Sequence, residues 1–161
     1  MPDAPRLYWD SCVFLSYVDG LEARLPDIEE FLRKAEAGAV EIVTSTISIV
    51  EVAFGEAERQ QRALDPELEQ KISSLWTLPS PVKLIEFYSL IADESKQLMR
   101  DAMVRGWRLT GMDAIHLATA RRLEVAEMHT YDDKLFKYAE VLGIKVGPPL
   151  VAQLPLPPGE S

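Results

Sequence analysis

Four acidic residues lie at positions where their side chains could hold a common metal ion. Asp10 and Asp132 each follow a short apolar run, Asp113 begins a helical pattern, and Glu51 lies inside an apolar segment. Carboxylates brought together repel one another, and a divalent cation relieves that repulsion. Ligands that are all oxygens favour Mg²⁺ or Mn²⁺ over zinc, and a bound ion lowers the pKa of a coordinated water. These residue types therefore indicate phosphodiester hydrolysis assisted by one or two metal ions.

Three of these acids also have a simpler structural explanation. Asp10 is placed to cap the helix predicted after it, and Asp132 or Asp133 is placed to cap the last helix of the chain. Asp113 follows Thr110 by three residues, which is the spacing of a capping box. A capping role and a role in the site are both open for each of them.

Glu51 is harder to explain structurally. Residues 47–54 are apolar nearly all the way round a helix except at this glutamate and Ser48. A lone buried carboxylate is costly, so either Glu51 reaches solvent along a narrow polar stripe, or a cation or a proton neutralises it.

The apolar pattern alternates between short runs and longer helical periods, which is typical of βαβ units around a mostly parallel sheet. The predicted strands cover residues 6–9, 41–45, 82–87, 126–132 and 144–146. The predicted helices cover residues 11–18, 27–38, 45–61, 66–76, 89–106, 110–123 and 133–143. In the longest helix, one buried face is predicted from Leu90, Ile91, Leu98, Met99, Ala102 and Met103. Ligands bind at the carboxyl ends of parallel strands, so we expect the four acids to converge there.

The composition suits one globular domain, since 47% of the 161 residues are hydrophobic and 27% are charged. We predict that this domain covers residues 1–147. The segment 148–161 is rich in proline and is predicted to be an extended or disordered tail.

Cysteine and histidine usage limits the choice of metal and compartment. Cys12 is the only cysteine, which excludes an intrachain disulfide and a cysteine zinc cluster and fits the reducing cytoplasm. His116 and His129 are too few for a histidine-rich metal site. No apolar run approaches the roughly 18 residues of a membrane helix, and residues 1–10 lack a signal-peptide pattern. We therefore expect a cytoplasmic protein without a membrane partner.

The net charge of −9, from 26 acidic and 17 basic residues, disfavours non-specific adhesion to nucleic acid. A local exception precedes Asp113, where basic residues either form a solvated helix face or steer a phosphate: Lys96, Arg100, Arg105 and Arg108.

Four segments in this order resemble the motifs of the PIN-domain nucleases, and most closely those of the VapC-type toxins and stand-alone prokaryotic relatives. They are YWDSCVFLSYV (8–18), STISIVEVAFGEA (45–57), MDAIHLATA (112–120) and HTYDDKLFKYAE (129–140). The resemblance extends from Leu7 to about Val146. It implies a three-layer α/β/α sandwich and a metal-dependent endoribonuclease.

The resemblance also implies roles for the acids. Asp10, Glu51 and Asp113 would hold the first Mg²⁺ or Mn²⁺, and Asp132 would support a second ion or position the attacking water. Asp133 is the alternative for the fourth acid. The implied reaction leaves a 5′-phosphate and a 3′-hydroxyl, and the preference for RNA rests on the resemblance alone.

One position departs from the family pattern. The second residue after the first acid often carries a small hydroxyl or amide, whereas here it is Cys12. Either Ser11 takes the polar role, or Cys12 is a small buried residue. Support for the substrate is also open for Thr110, Arg108 and His116, although His116 is expected to be a structural histidine with a hydrogen-bond partner.

Partners follow from the same resemblance. VapC-type relatives usually form homodimers held inactive by a cognate antitoxin, and helices 66–76 and 89–106 are expected to supply the apolar face of a dimer. The function expected is that of a ribonuclease toxin of a type II toxin–antitoxin pair. A housekeeping RNA-processing nuclease and a noncatalytic PIN-like scaffold that binds partners are the alternatives. A haloacid-dehalogenase phosphatase is excluded, because it needs an aspartate where Cys12 stands. A phosphorelay receiver is excluded because this sequence lacks the paired acids that such a protein has after its first strand.

Overall fold

The computed structural model describes residues 3–153, and its centre is a sheet of five parallel strands. The strands are β1 (Arg6–Trp9), β2 (Glu41–Ser45), β3 (Val82–Ile85), β4 (Glu127–His129) and β5 (Lys145–Gly147). Their order across the sheet is β3-β2-β1-β4-β5. The predicted α/β class with a parallel sheet is confirmed, and every pairing is parallel.

Helices cover both faces of this sheet and complete the three layers. They are α1 (Ser11–Val18), α2 (Leu25–Glu36), α3 (Ile47–Glu51), α4 (Glu56–Gln61), α5 (Pro66–Trp76), α6 (Ser89–Val104), α7 (Gly111–Arg122) and α8 (Ala139–Leu142). Two 3₁₀ helices, Asp133–Tyr138 and Val151–Gln153, are added to these. No helix in residues 3–153 is long and apolar enough to cross a membrane.

The central strand β1 sends alternate side chains to two separate cores. Leu7 and Trp9 pack with α1, α2 and α5, whereas Tyr8 packs with α6, α7 and the segment after β4. All three side chains are fully buried. A strand buried on both faces reads as a continuous apolar run, which is why β1 could be predicted from the sequence.

The predicted helix 45–61 is wrong in one respect, because the chain leaves the helical conformation at Val52 and begins a second helix after Gly55. The break is stabilised by Glu58, which is only 4% exposed and accepts hydrogen bonds from the backbone N–H groups of Gly55 at 3.1 Å and Asp65 at 2.9 Å. Glu51 is consequently the last residue of a five-residue helix.

The long helix α6 turns a narrower apolar face inward than predicted. Ile91, Leu98 and Ala102 are buried, but Leu90, Met99 and Met103 are exposed. Ser95 is buried in their place and donates a hydrogen bond from Oγ to the Ile91 carbonyl at 2.6 Å. The small hydroxyl side chain fits against the neighbouring helix because its hydrogen-bonding capacity is met locally.

The last predicted elements also differ in their limits. The fourth strand ends at His129, and Thr130 onward turns across the edge of the sheet. The helix predicted for 133–143 is a 3₁₀ helix followed by the single α-helical turn α8, which ends at Gly143 with φ of 71°. Glycine adopts this left-handed conformation without the steric cost that other residues have.

The predicted tail begins with ordered structure. The 3₁₀ helix Val151–Gln153 lies on α2, and the Val151 N–H donates to Asp27 Oδ1 at 3.1 Å. The remainder of the predicted tail, residues 154–161, lies outside the described residues.

Candidate functional site

Asp10 lies at the carboxyl end of β1 and caps α1. Its Oδ1 accepts hydrogen bonds from the Cys12 backbone N–H at 3.1 Å and from Cys12 Sγ at 2.7 Å. Asp10 is only 4% exposed, and this burial raises the pKa of its carboxyl, although the bonds from Cys12 oppose the shift. The capping role expected for Asp10 is therefore present, although burial still disfavours the charged form of its carboxyl.

Cys12 has a polar role that the sequence did not predict. Burial and the charge of Asp10 raise the pKa of the thiol, so Sγ stays protonated and donates to Asp10. Sγ also accepts from the Tyr131 N–H at 3.2 Å and lies 3.4 Å from Thr130 Oγ1. The side chain that contacts Asp10 is thus that of Cys12, and it joins the end of β1 to the segment after β4. Ser11 is half-buried at the start of α1.

Glu51 ends α3 and contacts a partner that neither sequence-based alternative included. Its Oε1 lies 2.5 Å from His116 Nε2, and 23% of its side chain is exposed. His116 is 1% exposed, and its Nδ1 lies 2.6 Å from the hydroxyl of Tyr8. The expected structural role of His116 is therefore accompanied by direct contact with a site residue.

Asp113 lies in the first turn of α7. The hydroxyl of Thr110 accepts a hydrogen bond from the Asp113 N–H at 3.3 Å, so Thr110 is the cap of this helix. Burial raises the pKa of the Asp113 carboxyl, and the charges of Asp132 and Glu51 raise it further. Acids from three separate parts of the chain therefore interact electrostatically at this edge of the sheet.

Asp132 is the acid after β4 that takes part in this cluster. Its Oδ1 accepts from the Lys134 N–H at 3.1 Å, which caps the following 3₁₀ helix, and its own N–H donates to Thr130 Oγ1 at 3.1 Å. Asp133 is exposed as the first residue of that 3₁₀ helix. Asp132 therefore caps the 3₁₀ helix and also lies close to Asp113.

The donor set fits a hard divalent cation by its chemistry. All four side chains offer carboxylate oxygens, and the pKa of Asp113 is raised partly because other acids lie close to it. Within residues 3–153, however, no three acidic, histidine or cysteine side chains already form a ligand cage. Repulsion between unneutralised carboxylates and the engagement of Glu51 by His116 oppose such a cage in the absence of an ion.

Two groups near the site are outside the predicted set of site residues. Tyr8 faces α7, whereas its neighbours Leu7 and Trp9 in β1 face the other side of the sheet. The alternation of side chains along a strand could have indicated this position. Trp107 lies in the connection between α6 and α7 beneath Arg105 and Lys137, whose charged groups are 5.0 and 4.8 Å from its rings. Arg108 is exposed in the same connection.

A comparison with protein-family models identifies the fold independently. The model described as PIN domain matches residues 7–141, which is most of the chain. The chain belongs to the PIN domain family. The PIN family consists of nucleases, and the acids predicted from the four motifs lie at one edge of this PIN fold. A comparison with curated proteins gives no match.

Solved structures with the same fold share little sequence with this PIN protein. FitAcB from Neisseria gonorrhoeae superposes with a TM-score of 0.62 at 17% identity, covering 92% of this chain and 99% of that one. A toxin–antitoxin complex from Klebsiella pneumoniae gives 0.59 at 21%, covering 89% and 98%. The sarcin–ricin loop cleaving toxin VapC20 from Mycobacterium tuberculosis gives 0.57 at 12%, covering 79% and 90%. At these identities the likeness shows the fold.

Proposed function

We propose that this PIN protein is a metal-dependent endoribonuclease and the toxin of a type II toxin–antitoxin pair. The observation that carries the proposal is the electrostatic cluster of Asp113, Asp132 and Glu51, which shares its neighbour His116 with the buried carboxyl of Asp10. Charge repulsion of this kind is expected where a protein site is built to hold a cation. The catalytic unit is the proposed domain of residues 1–147, and the segment 148–161 is proposed as its tail.

The metal site proposed here uses oxygen ligands only. Asp10, Glu51 and Asp113 would hold Mg²⁺ or Mn²⁺, and Asp132 would support a second ion or orient the attacking water. A bound ion of this type lowers the pKa of water and stabilises negative charge on a phosphodiester. Cys12 keeps Asp10 oriented by donating to Oδ1, and Thr110 fixes the turn that presents Asp113. Hydrolysis would leave a 5′-phosphate and a 3′-hydroxyl.

RNA is proposed as the substrate on two grounds. One solved relative of the same fold is described as a toxin that cleaves the sarcin–ricin loop. The second ground is the basic and aromatic surface of Arg105, Trp107 and Lys137 at the entrance to α7, since aromatic rings with flanking cations favour single-stranded nucleic acid. Arg108 lies in the same connection and would add a phosphate contact.

An antitoxin and a second copy of the chain are the proposed protein partners in a cytoplasmic setting. The similar structure from Klebsiella pneumoniae is a toxin–antitoxin complex, which supports the first. For the second, α6 exposes Met99, Met103 and Val104, the latter two by 80% and 89%. The expected contribution of helix 66–76 is not supported, because Ile72 and Leu75 of α5 are buried in the core.

The test is cleavage of a mixed RNA pool by the purified protein with Mn²⁺ or Mg²⁺, with and without a chelator. We expect metal-dependent cleavage by the wild type and at least a hundredfold loss in Glu51→Gln and Asp10→Asn, since each removes a ligand charge. Equal cleavage by wild type and Glu51→Gln would contradict the catalytic assignment. Folded wild type without any cleavage would favour the scaffold alternative, and cleavage without growth arrest on expression would favour housekeeping RNA processing.

A further inference from the structure

A chain of hydrogen bonds runs from the centre of the sheet to Glu51. The backbone N–H of Ser45 donates to the hydroxyl oxygen of Tyr8 at 3.1 Å, and that hydroxyl lies 2.6 Å from His116 Nδ1. The other imidazole nitrogen, Nε2, lies 2.5 Å from Glu51 Oε1. Tyr8 is fully buried and His116 is 1% exposed, so water does not compete for these bonds.

The donor and acceptor roles along this series of hydrogen bonds follow from its first member, the Ser45 N–H. The backbone N–H of Ser45 can only donate, so the Tyr8 oxygen accepts it, and in residues 3–153 the acceptor within reach of the buried Tyr8 proton is His116 Nδ1. When Nδ1 accepts, the ring proton lies on Nε2. His116 therefore donates to the Glu51 carboxylate.

We propose that His116 is a positioning residue that orients the Glu51 carboxylate for divalent-metal binding, and that Tyr8 acts through His116 by fixing its tautomer. This inference rests on the proposed metal-dependent function and assigns a role to a residue outside the acid set. One oxygen of Glu51 is held by Nε2, which leaves Oε2 as the oxygen available to an ion.

Glu51 needs such support because its own helix supplies little. The helix α3 has five residues, and Val50 beside Glu51 is 73% exposed. In the part of the chain that the structure describes, the bond from His116 is the hydrogen bond that the Glu51 carboxylate receives. Without it, the side chain would sample several rotamers and would lose conformational entropy on binding an ion.

His116 itself does not act on the substrate in this arrangement. Both ring nitrogens are engaged, and the residue is almost completely buried. Its effect on any ligand must therefore pass through Glu51.

The experiment measures the dissociation constant of Mn²⁺ by electron paramagnetic resonance, without substrate, in two variants of nearly equal size. In His116→Gln the amide nitrogen falls near the former Nε2 position and keeps a donor for Glu51. In His116→Asn the amide is too short to reach it. We expect Gln to bind Mn²⁺ within about threefold of wild type and Asn to bind it roughly 10 to 100-fold more weakly, as for other outer partners of metal ligands.

A matched control uses the second buried histidine. His129 is 2% exposed, with Nε2 2.9 Å from Glu127 and Nδ1 3.0 Å from the indole N–H of Trp9, and it packs against Phe31 on the opposite face of the sheet. His129→Asn should lower thermal stability and leave Mn²⁺ affinity unchanged. Equal weakening of Mn²⁺ binding by the two Asn variants would overturn the positioning role.

Tyr8→Phe keeps the inference testable if both His116 variants fail to fold. It removes the donor to Nδ1 while keeping the ring, so we expect a three- to tenfold weaker affinity for Mn²⁺. Wild-type affinity in His116→Asn, or in Tyr8→Phe where neither His116 variant folds, would contradict the inference while leaving the proposed nuclease function intact. Failure of the wild type itself to bind Mn²⁺ would overturn the proposed function and this inference together.

Discussion

At the scale of single residues, two of the four acids lie where a folded protein without an ion gains nothing from their charge. Burial raises the pKa of Asp10 and of Asp113, and the second is raised further by Asp132 and Glu51. Within residues 3–153 no lysine or arginine forms a salt bridge with either acid, and the charge of His116 opposes both shifts without cancelling them. The proposed metal site would account for acids at both positions, because the raised pKa of each carboxyl means that a neutral residue there should give a more stable ion-free chain.

This explanation predicts that Asp113→Asn stabilises the ion-free protein. The folded-state pKa of Asp113 lies above the unfolded value, so its favourable contribution is present at pH below about 3.8 and is lost as the pH rises through the folded pKa. Asparagine stays neutral and does not suffer this loss. In a chelator at pH 7 we expect a rise in Tm of roughly 1–3 °C, modest because the carboxyl is half-buried and screened.

The pH dependence and a neighbouring acid provide the checks. The Tm difference between Asp113→Asn and wild type should shrink toward zero near pH 3 and should reverse in sign when Mn²⁺ is added at pH 7. Asp133→Asn, which changes an exposed acid in the 3₁₀ helix, should leave Tm unchanged. A lower Tm for Asp113→Asn in chelator would show that its carboxylate stabilises the fold.

Cys12 gives a second prediction at this scale. Its thiol donates to Asp10 and accepts from the Tyr131 N–H, which a hydroxyl can also do. We expect Cys12→Ser to keep RNA cleavage within about threefold of wild type, and Cys12→Ala to lower it about tenfold or more, since the Asp10 carboxylate loses an orienting donor. Initial rates at saturating Mn²⁺ measure this, and a fully active Cys12→Ala would remove the role assigned to the thiol.

At the scale of elements, the strands and helices that could be predicted from the sequence are those determined by contacts between residues close in sequence. The strands β1 and β2 were predicted with their observed limits because each is a run of buried residues bounded by polar ones. The helix α7 was predicted from its Thr110 cap, which is a contact over three residues. The roles of the four acids stay a prediction, which rests on four motifs that each mark one place in the topology.

Contacts between residues distant in sequence explain the features that were not predicted. The break after Glu51 depends on a hydrogen bond that Glu58 accepts from the Asp65 N–H across a loop. Nothing in the periodicity of residues 45–61 indicates this contact. The partnership of Glu51 with His116 spans 65 residues, so neither of its two local explanations could include it. Similarly, two of the polar contacts of Cys12 Sγ, with Thr130 Oγ1 and the Tyr131 N–H, span 118 and 119 residues.

The break itself can be tested with Glu58. Glu58→Ala would leave the buried N–H of Gly55 and the partly buried N–H of Asp65 without their carboxylate acceptor, which we expect to lower the free energy of unfolding by about 2–3 kcal/mol. Glu69→Ala on the exposed face of α5 is the matched control and should change it by less than about 0.5 kcal/mol. Urea unfolding measures both. A small effect in Glu58→Ala would mean that α3 and α4 are held apart by packing alone.

At the scale of the whole molecule, the proposed RNA substrate is a polyanion, whereas the chain itself has a net charge of −9. These two properties are compatible because the charges are unevenly distributed over the surface, with cations close to the acids of the site. Arg105 affects the pKa of Tyr138 together with Asp113, so this arginine lies near the site, and it shares the Trp107 ring with Lys137. A local surface of this kind would capture RNA near the carboxylates and leave the rest of the molecule repulsive to it.

The last prediction concerns this surface. In the double variant Arg105→Ala/Lys137→Ala we expect KM for RNA to rise about tenfold with kcat within twofold of wild type. The slope of log KM against log salt should fall by about 1.4, or ~0.7 for each lost phosphate contact on single-stranded RNA. Arg33→Ala in α2, on the opposite face of the sheet, removes a charge away from this surface and should leave both quantities unchanged. A fall in kcat at unchanged KM and salt slope would instead place these cations in the chemical step, because binding in the ground state would then be unaffected.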